Sequence, residues 1–197
     1  VRAAACSRRY IRRYVQCHAL ETPLNEDQAK RVIERLTEEN VEAVAVVFFW
    51  SHVNPEHERR VAELLEEVAP DVHYSLGHEV NPVIREYRRT VSTAIDASLY
   101  GPINDYLSRL QDKLTDYGYD QSPLIIAANG GVMQLDEVAR RPIWSVDSGP
   151  TMLPVAAREY TETELGRDNR IAGDMGGTSL DMGDVTKGEV AGRREGK

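Results

Sequence analysis

The segment Val41–Trp50, reading VEAVAVVFFW, constrains the fold of this chain more than any other. It is a nearly continuous run of β-branched and aromatic residues, which suits a strand buried on both faces, as in a parallel sheet. The flanking pattern supplies the covering layers. Asn25 is a good N-cap, Glu26 and Asp27 place acid in a first helical turn, and Ala29, Val32, Ile33 and Leu36 follow at helical spacing. Asn40 can end that helix in a left-handed conformation. Beyond the strand, Asn54-Pro55 opens a second helix with Val61, Leu64, Leu65 and Val68 on one face, and Val72–Leu76 reads as a short second strand. Helix, strand, helix, strand is the signature of an α/β layer with right-handed crossovers.

Residues 82–116 form a long helical tract in this reading, interrupted near Gly101-Pro102. Leu124–Ala128 (LIIAA) is a second buried strand ending in Asn129-Gly130-Gly131. A helix over 135–140 and an extended piece over 143–146 lead to Ser148-Gly149-Pro150 and a further helix over 151–163. Residues 171–173 then enter Asp174-Met-Gly-Gly-Thr-Ser-Leu-Asp181, after which 182–185 and 189–191 flank a Lys187-Gly188 hairpin turn. No internal repeat or low-complexity segment is present.

Three of these turns carry glycine where chemistry is expected. In Asp174–Asp181, Gly176 and Gly177 let a backbone approach a ligand without an intervening Cβ, so that their amides and that of Thr178 can point at phosphate oxygens. Asp174 can hold Mg²⁺, and Asp181 can join the same cation shell or orient a water. A plain β-turn capped by Asp174 and Thr178 is the simpler alternative. Asn129, Gly130 and Gly131 sit at a strand's carboxyl end, where open α/β sheets bind ligands. Ser148 and Gly149 lead into a helix N-terminus, a natural anion site.

Other residues point to less. His52, His57, His73 and His78 have no HExxH-like spacing and suit turns and caps. Arg85-Glu86-Tyr87-Arg88-Arg89 is read as a solvated, salt-bridged helix face, with an acidic ligand as the alternative. Cys6, Cys17 and His18 lack the second pair that a zinc site needs, and two cysteines give no disulfide framework, which fits a reducing cytoplasm. With 32 acidic against 24 basic residues, a net charge of -8 argues against a nucleic-acid binder that works by bulk charge. The apolar run is also too short to span a membrane.

Residues 44–60, 79–90, Asn129-Gly-Gly131, Ser148-Gly-Pro150 and 174–181 together resemble, in order and spacing, the A-type subunit of the hydantoinase/oxoprolinase family, over about residues 22–192. That family includes ATP-dependent hydantoinases, 5-oxoprolinases and related subunits of acetone and acetophenone carboxylases. The resemblance implies an α/β fold of the actin/hexokinase/Hsp70-like (RNase H-like) ATPase type, present in part. Three stretches are expected: a poorly patterned segment 1–22, an α/β portion over 23–128 with the long helical tract, and 129–197 as the start of a second ATPase lobe. The implied cofactors are ATP and Mg²⁺. Asp174 and Asp181 take the catalytic roles, Asp174 also holding the metal, while Gly176, Gly177, Thr178, Asn129, Gly130, Gly131, Ser148 and Gly149 surround the nucleotide. The implied reaction is ATP-driven hydrolysis of a cyclic amide. An acetone/acetophenone-type carboxylase subunit and a non-catalytic subunit-interaction module are the alternatives. A B-type hydantoinase subunit, a small-molecule substrate and an oligomeric cytoplasmic assembly, without nucleic acid or membrane, are expected. A first Gly-Gly-Thr hairpin and a later Gly-rich nucleotide loop are absent from the sequence. The chain is therefore expected to be an internal piece of a longer subunit, without turnover of its own.

Overall fold

The computed structural model describes residues 22–165 and 169–190, with side chains left out over 161–165. Cys6, Cys17, His18 and the N-terminal arginines lie outside the described residues. The chain divides into two compact units, Val1–Asn104 and Asp105–Lys197.

In the first unit, α1 (Glu26–Glu38) begins where expected, because the Asn25 side chain accepts the Gln28 N–H at 3.0 Å. Asn40 takes φ 54°, releasing the chain into β1 (Ala43–Val46). The strand is shorter than its apolar run: Val47 and Phe48 leave it and residues 49–53 form turns. Helix α2 (Glu56–Val68) returns the chain to β2 (His73–Leu76), which pairs parallel to β1 with Val44 opposite Tyr74 and Val46 opposite Leu76. Ile33, Val46, Ala62, Leu64, Leu65, Ala69 and Leu76 close the core, with Leu64 and Leu65 almost wholly buried. Arg60 clamps α2 to α1 by a two-pronged bond to Glu26, both N···O distances being 2.8 Å. A short helix α3 (Gly77–Val80), not expected from the sequence, follows β2 directly.

Helix α4 (Glu86–Asp116) runs unbroken through Pro102. The expected interruption is absent: proline removes one N–H from the ladder, and the helix carries buried residues, Ala97 and Leu107, on either side of that loss. Tyr100 on α4 stacks on His73 with ring centroids 3.4 Å apart and planes 7° from parallel. Burial pushes the His73 pKa from 6.5 down to about 4. Its unfolded form takes up a proton near pH 6.5, whereas the folded form resists until about pH 4, so the stability of this unit falls as pH drops through that window. His52 is shifted the same way, first by burial and then by Arg89. Urea midpoints at pH 7 and pH 5 test this, and His73→Phe should flatten the difference.

In the second unit β3 (Leu124–Ile126) pairs antiparallel with β4 (Val132–Gln134), Ile125 facing Met133. The expectation of a strand buried on both faces fails here. Leu124 and Ile126 point outward, 61% and 37% exposed, because the described residues cover only one face of a two-stranded ribbon. Helix α5 (Leu135–Arg140) buries Val138. Residues 142–145 form a 3-10 turn rather than the expected extended piece, since Pro142 at its start favours the tight helical φ. Helix α6 (Ser148–Leu165) packs on a meander of β5 (Arg170–Met175), β6 (Leu180–Thr186) and β7 (Glu189–Val190). Lys187 and Gly188, at φ 55° and 76°, make the expected β6–β7 turn. Among the described residues no helix is long and apolar enough to cross a membrane.

Candidate functional site

Strand alternation decides what the β5–β6 hairpin presents. Ile171, Gly173 and Met175 on β5 share the outer face with Leu180, Met182 and Asp184 on β6, whereas Ala172, Asp174, Asp181, Gly183 and Val185 face α6. The register sets Asp174 directly opposite Asp181. Two carboxylates paired across one face repel each other, and a cation between them removes that cost.

The tip is a four-residue turn from Gly176 to Ser179, closed by the Gly176 N–H donating to the Ser179 carbonyl at 3.0 Å. No internal hydrogen bond of the described residues engages the Gly177 or Thr178 amides. Neither Gly176 nor Gly177 has positive φ, so the turn's backbone alone does not demand glycine. What the pair provides is a bare surface, with nothing within 4 Å of a Cβ placed on Gly177.

Helix α6 points its N-terminus toward that tip. Its packing shows the direction: Arg158 O lies against Arg170 at the start of β5, and the Pro154 ring covers Gly183 on β6. From Pro154 back to Ser148 the helix climbs about 9 Å, and from Gly183 to Asp181 the strand covers about 7 Å in the same sense. The positive end of the helix dipole and the two carboxylates therefore lie at one end of this layer.

The Asn129-Gly130-Gly131 loop is tied to the same helix start. Asn129 Oδ1 accepts the Gly131 N–H at 2.9 Å, Gly130 adopts φ +83°, and Thr151 Oγ1 donates to the Ala128 carbonyl at 2.9 Å and the Asp147 carbonyl at 3.0 Å. Ser148 and Gly149 form the first turn of α6 itself rather than a loop before it. The second unit thus joins Asn129, Gly130 and Gly131 to Ser148 and Gly149, and it aims α6 toward Asp174, Gly176, Gly177, Thr178 and Asp181.

The donor set fits Mg²⁺, which typically takes one or two carboxylates and completes its shell with phosphate oxygens and water. Among the described residues no group of three or more His, Cys, Asp or Glu side chains forms a metal cage by itself. The histidines do other work. The His78 ring donates to Glu58 at 2.6 Å, and His73 lies against Tyr100.

Sequence reading missed the buried polar cluster of the first unit. Glu58, fully buried, accepts the Phe48 N–H at 2.9 Å, the His78 N–H at 2.9 Å and the His78 ring. Arg89 was expected on a solvated face and is fully buried, donating to the carbonyls of Val83 and Phe48 at 2.7 and 2.9 Å. Charge clustering locates α4's polar start but does not say which arginine turns inward.

Comparison with known proteins agrees with this architecture. A sequence model described as Hydantoinase/oxoprolinase matches residues 89–197, and one for the Hydantoinase/oxoprolinase N-terminal region matches residues 6–69. The caprolactamase subunit alpha of Pseudomonas jessenii is 36% identical over 161 residues, 82% of this chain and 23% of that protein. The crystal structure of ATP-dependent caprolactamase from the same organism superposes with a TM-score of 0.75 at 34% identity, covering 85% of this chain and 24% of that one. A nucleotide-free structure of acetone carboxylase gives 0.71 at 28% identity, with the same coverage. The 5-oxoprolinase of Dictyostelium discoideum is 28% identical over 83% of this chain and 14% of its own length. The chain thus spans a quarter or less of the relatives it matches. Its mixed helices and strands are part of an actin-like ATPase fold, as its structural neighbours indicate.

Proposed function

Because the chain belongs to the hydantoinase/oxoprolinase family, we propose that it is a segment of an A-type subunit whose ATP cleavage drives hydrolysis of a cyclic amide, with the β5–β6 hairpin as a phosphate and Mg²⁺ site. The observation that carries this reading is the pairing of Asp174 with Asp181 beside the unengaged Gly177 and Thr178 amides. In it, the two amides hold phosphate oxygens and the paired carboxylates hold the cation. The α6 N-terminus adds a positive field, while Asn129, Gly130, Gly131, Ser148 and Gly149 line the same nucleotide. When bound, Mg²⁺ supplies neutralisation of charge on the transferring phosphoryl group. A bare glycine surface suits this task because a Cβ would hold the phosphate away from the amides. The relatives' names include subunits, which supports an assembly, with a B-type subunit as partner in this proposal.

The test is an assay of the complete subunit with its partner, comparing the parent with Asp174→Asn. ATP-dependent opening of a hydantoin, lactam or 5-oxoproline ring should fall at least about a hundredfold, the scale typical for loss of a transition-state charge contact. Stability should hold or rise by a few tenths of a kcal/mol, since the variant relieves carboxylate repulsion. The similarity to acetone carboxylase supports a second reading, phosphorylation that prepares a ketone for carboxylation. Bicarbonate-dependent ketone consumption without ring opening would select it. Unchanged ATP-dependent turnover in Asp174→Asn would remove both.

A further inference from the structure

The loop that follows β1 holds polar atoms that the fold leaves without partners. Ser51 is 1% exposed and Arg89 is fully buried, yet among the described residues Ser51 Oγ and Arg89 Nε have no hydrogen-bond partner. The same is true of the buried His52 Nδ1 and His57 Nε2. A buried donor or acceptor left unpaired costs about 1–3 kcal/mol, and such atoms are scarce in folded proteins. Three of the four residues, Ser51, Arg89 and His57, meet at Phe48, while the His52 ring stacks on Trp50 in the same loop with centroids 5.5 Å apart. The Phe48 carbonyl accepts both the Ser51 N–H at 3.4 Å and Arg89 Nη2 at 2.9 Å, and the Phe48 ring meets His57 edge-on with centroids 5.7 Å apart. His52 feels the charge of Arg89, which helps burial hold its pKa below the usual histidine value and leaves the ring neutral at pH 7.

Two further features mark this loop. Trp50 adopts φ 61°, a left-handed conformation that is strained for a bulky residue and brings Ser51 under the loop's own surface. The loop also leaves the carboxyl end of a parallel strand, the edge from which α/β sheets reach ligands.

The chemistry of the atoms selects the ligand. The Arg89 Nε–H can only donate, and a guanidinium keeps its charge when buried. Glu58, the buried carboxylate of this cluster, is already taken by Phe48 and His78. A serine hydroxyl and two imidazole rings can each add a donor. We propose that Ser51, Arg89, His52 and His57 form a binding site for a small oxyanion, a carboxylate or phosphate group, at the carboxyl end of β1. The site belongs to the first unit and does not rest on the nucleotide reading of the β5–β6 hairpin.

Histidine-ring NMR of the full 197-residue chain tests it, with inorganic phosphate added in one arm and acetate in another, each against chloride at equal ionic strength. The expected result is a saturable shift of the His52 and His57 rings with one shared Kd, and the tighter anion identifies the ligand class. Because Ser51 Oγ bonds nothing among the described residues, Ser51→Ala should hold or raise the parent melting temperature, by removing an unpaired buried hydroxyl, while weakening the anion about tenfold. Gly177 and Thr178 amide signals report separately on any phosphate at the hairpin. If neither anion moves the two rings beyond chloride, or if Ser51→Ala binds as tightly as the parent, the proposal is overturned. The ring titration of the parent decides even if Ser51→Ala loses its fold.

Discussion

Glu58→Ala should destabilise the first unit by about 3–5 kcal/mol, the scale seen when one member of a buried charged network is removed. The side chain is fully buried and its two oxygens accept three donors: the Phe48 N–H, the His78 N–H and the His78 ring. Alanine leaves all three without an acceptor and opens a space between β1, α3 and α2. Glutamine does not repair the loss. Whichever way the amide is turned, its NH₂ faces a donor, so Glu58→Gln should still cost about 1–3 kcal/mol. Equilibrium urea unfolding measures both. A loss below about 1 kcal/mol for Glu58→Ala would show that the three donors find water or one another, and the cluster would lose its structural role.

The second large effect is expected at Gly183. A Cβ there would lie 2.8 Å from Pro154 Cδ, 3.0 Å from its Cβ and 3.2 Å from its Cγ. A proline ring fixed in a helix cannot swing aside, so α6 must move off β6. Overpacking of this kind costs about 1–3 kcal/mol, and Gly183→Val, with its branched side chain, should sit at or above the upper end. For a unit of this size each kcal/mol lowers the melting temperature by about 4–8 °C. Gly173→Ala is the control, because its Cβ would meet only Leu180 Cδ1 at 3.9 Å on the outer face. On the proposed nucleotide site, the Gly183 variants should also weaken binding by the complete subunit, since the shift in α6 carries its N-terminus away from Asp174 and Asp181. A melting temperature within about 2 °C of the parent for Gly183→Val would contradict the packing account.

The first unit was legible because its signals are local and agree with one another. Asn25, Asn40 and the Lys187-Gly188 turn of the second unit behave as their residue types require, and apolar runs met helices at the expected spacing. Where the reading failed, a tertiary fact outweighed a local one. Pro102 does not stop α4, which carries buried residues on both sides of the one missing hydrogen bond. Leu124–Ile126 looked doubly buried because apolarity records preference, not how many layers cover a strand. Arg89 looked solvated, as most arginines in charge clusters are, and nothing local marks the two carbonyls that draw it inward.

The candidate site was legible in its residues and not in its geometry. Gly176, Gly177 and Thr178 announced a phosphate-like turn, but the facing of Asp174 and Asp181 depends on register, and a one-residue slip would have put one of them on the outer face. The link between Asn129–Gly131 and the start of α6 depends on Thr151, which no motif singles out. Ser51 and His52 were equally hidden, since an orphaned buried atom exists only once the chain is folded.

The most direct test of the central claim, that the Asp174–Asp181 hairpin is a nucleotide phosphate and Mg²⁺ site, is ¹⁵N NMR of the complete subunit, labelled selectively at glycine and threonine, during titration with ATP, with and without Mg²⁺. The account predicts saturable shifts of the Gly177 and Thr178 amides that require Mg²⁺ and disappear in Asp174→Asn while its melting temperature stays at the parent value. Amides unmoved by millimolar Mg²⁺-ATP, or moved equally in Asp174→Asn, would contradict it.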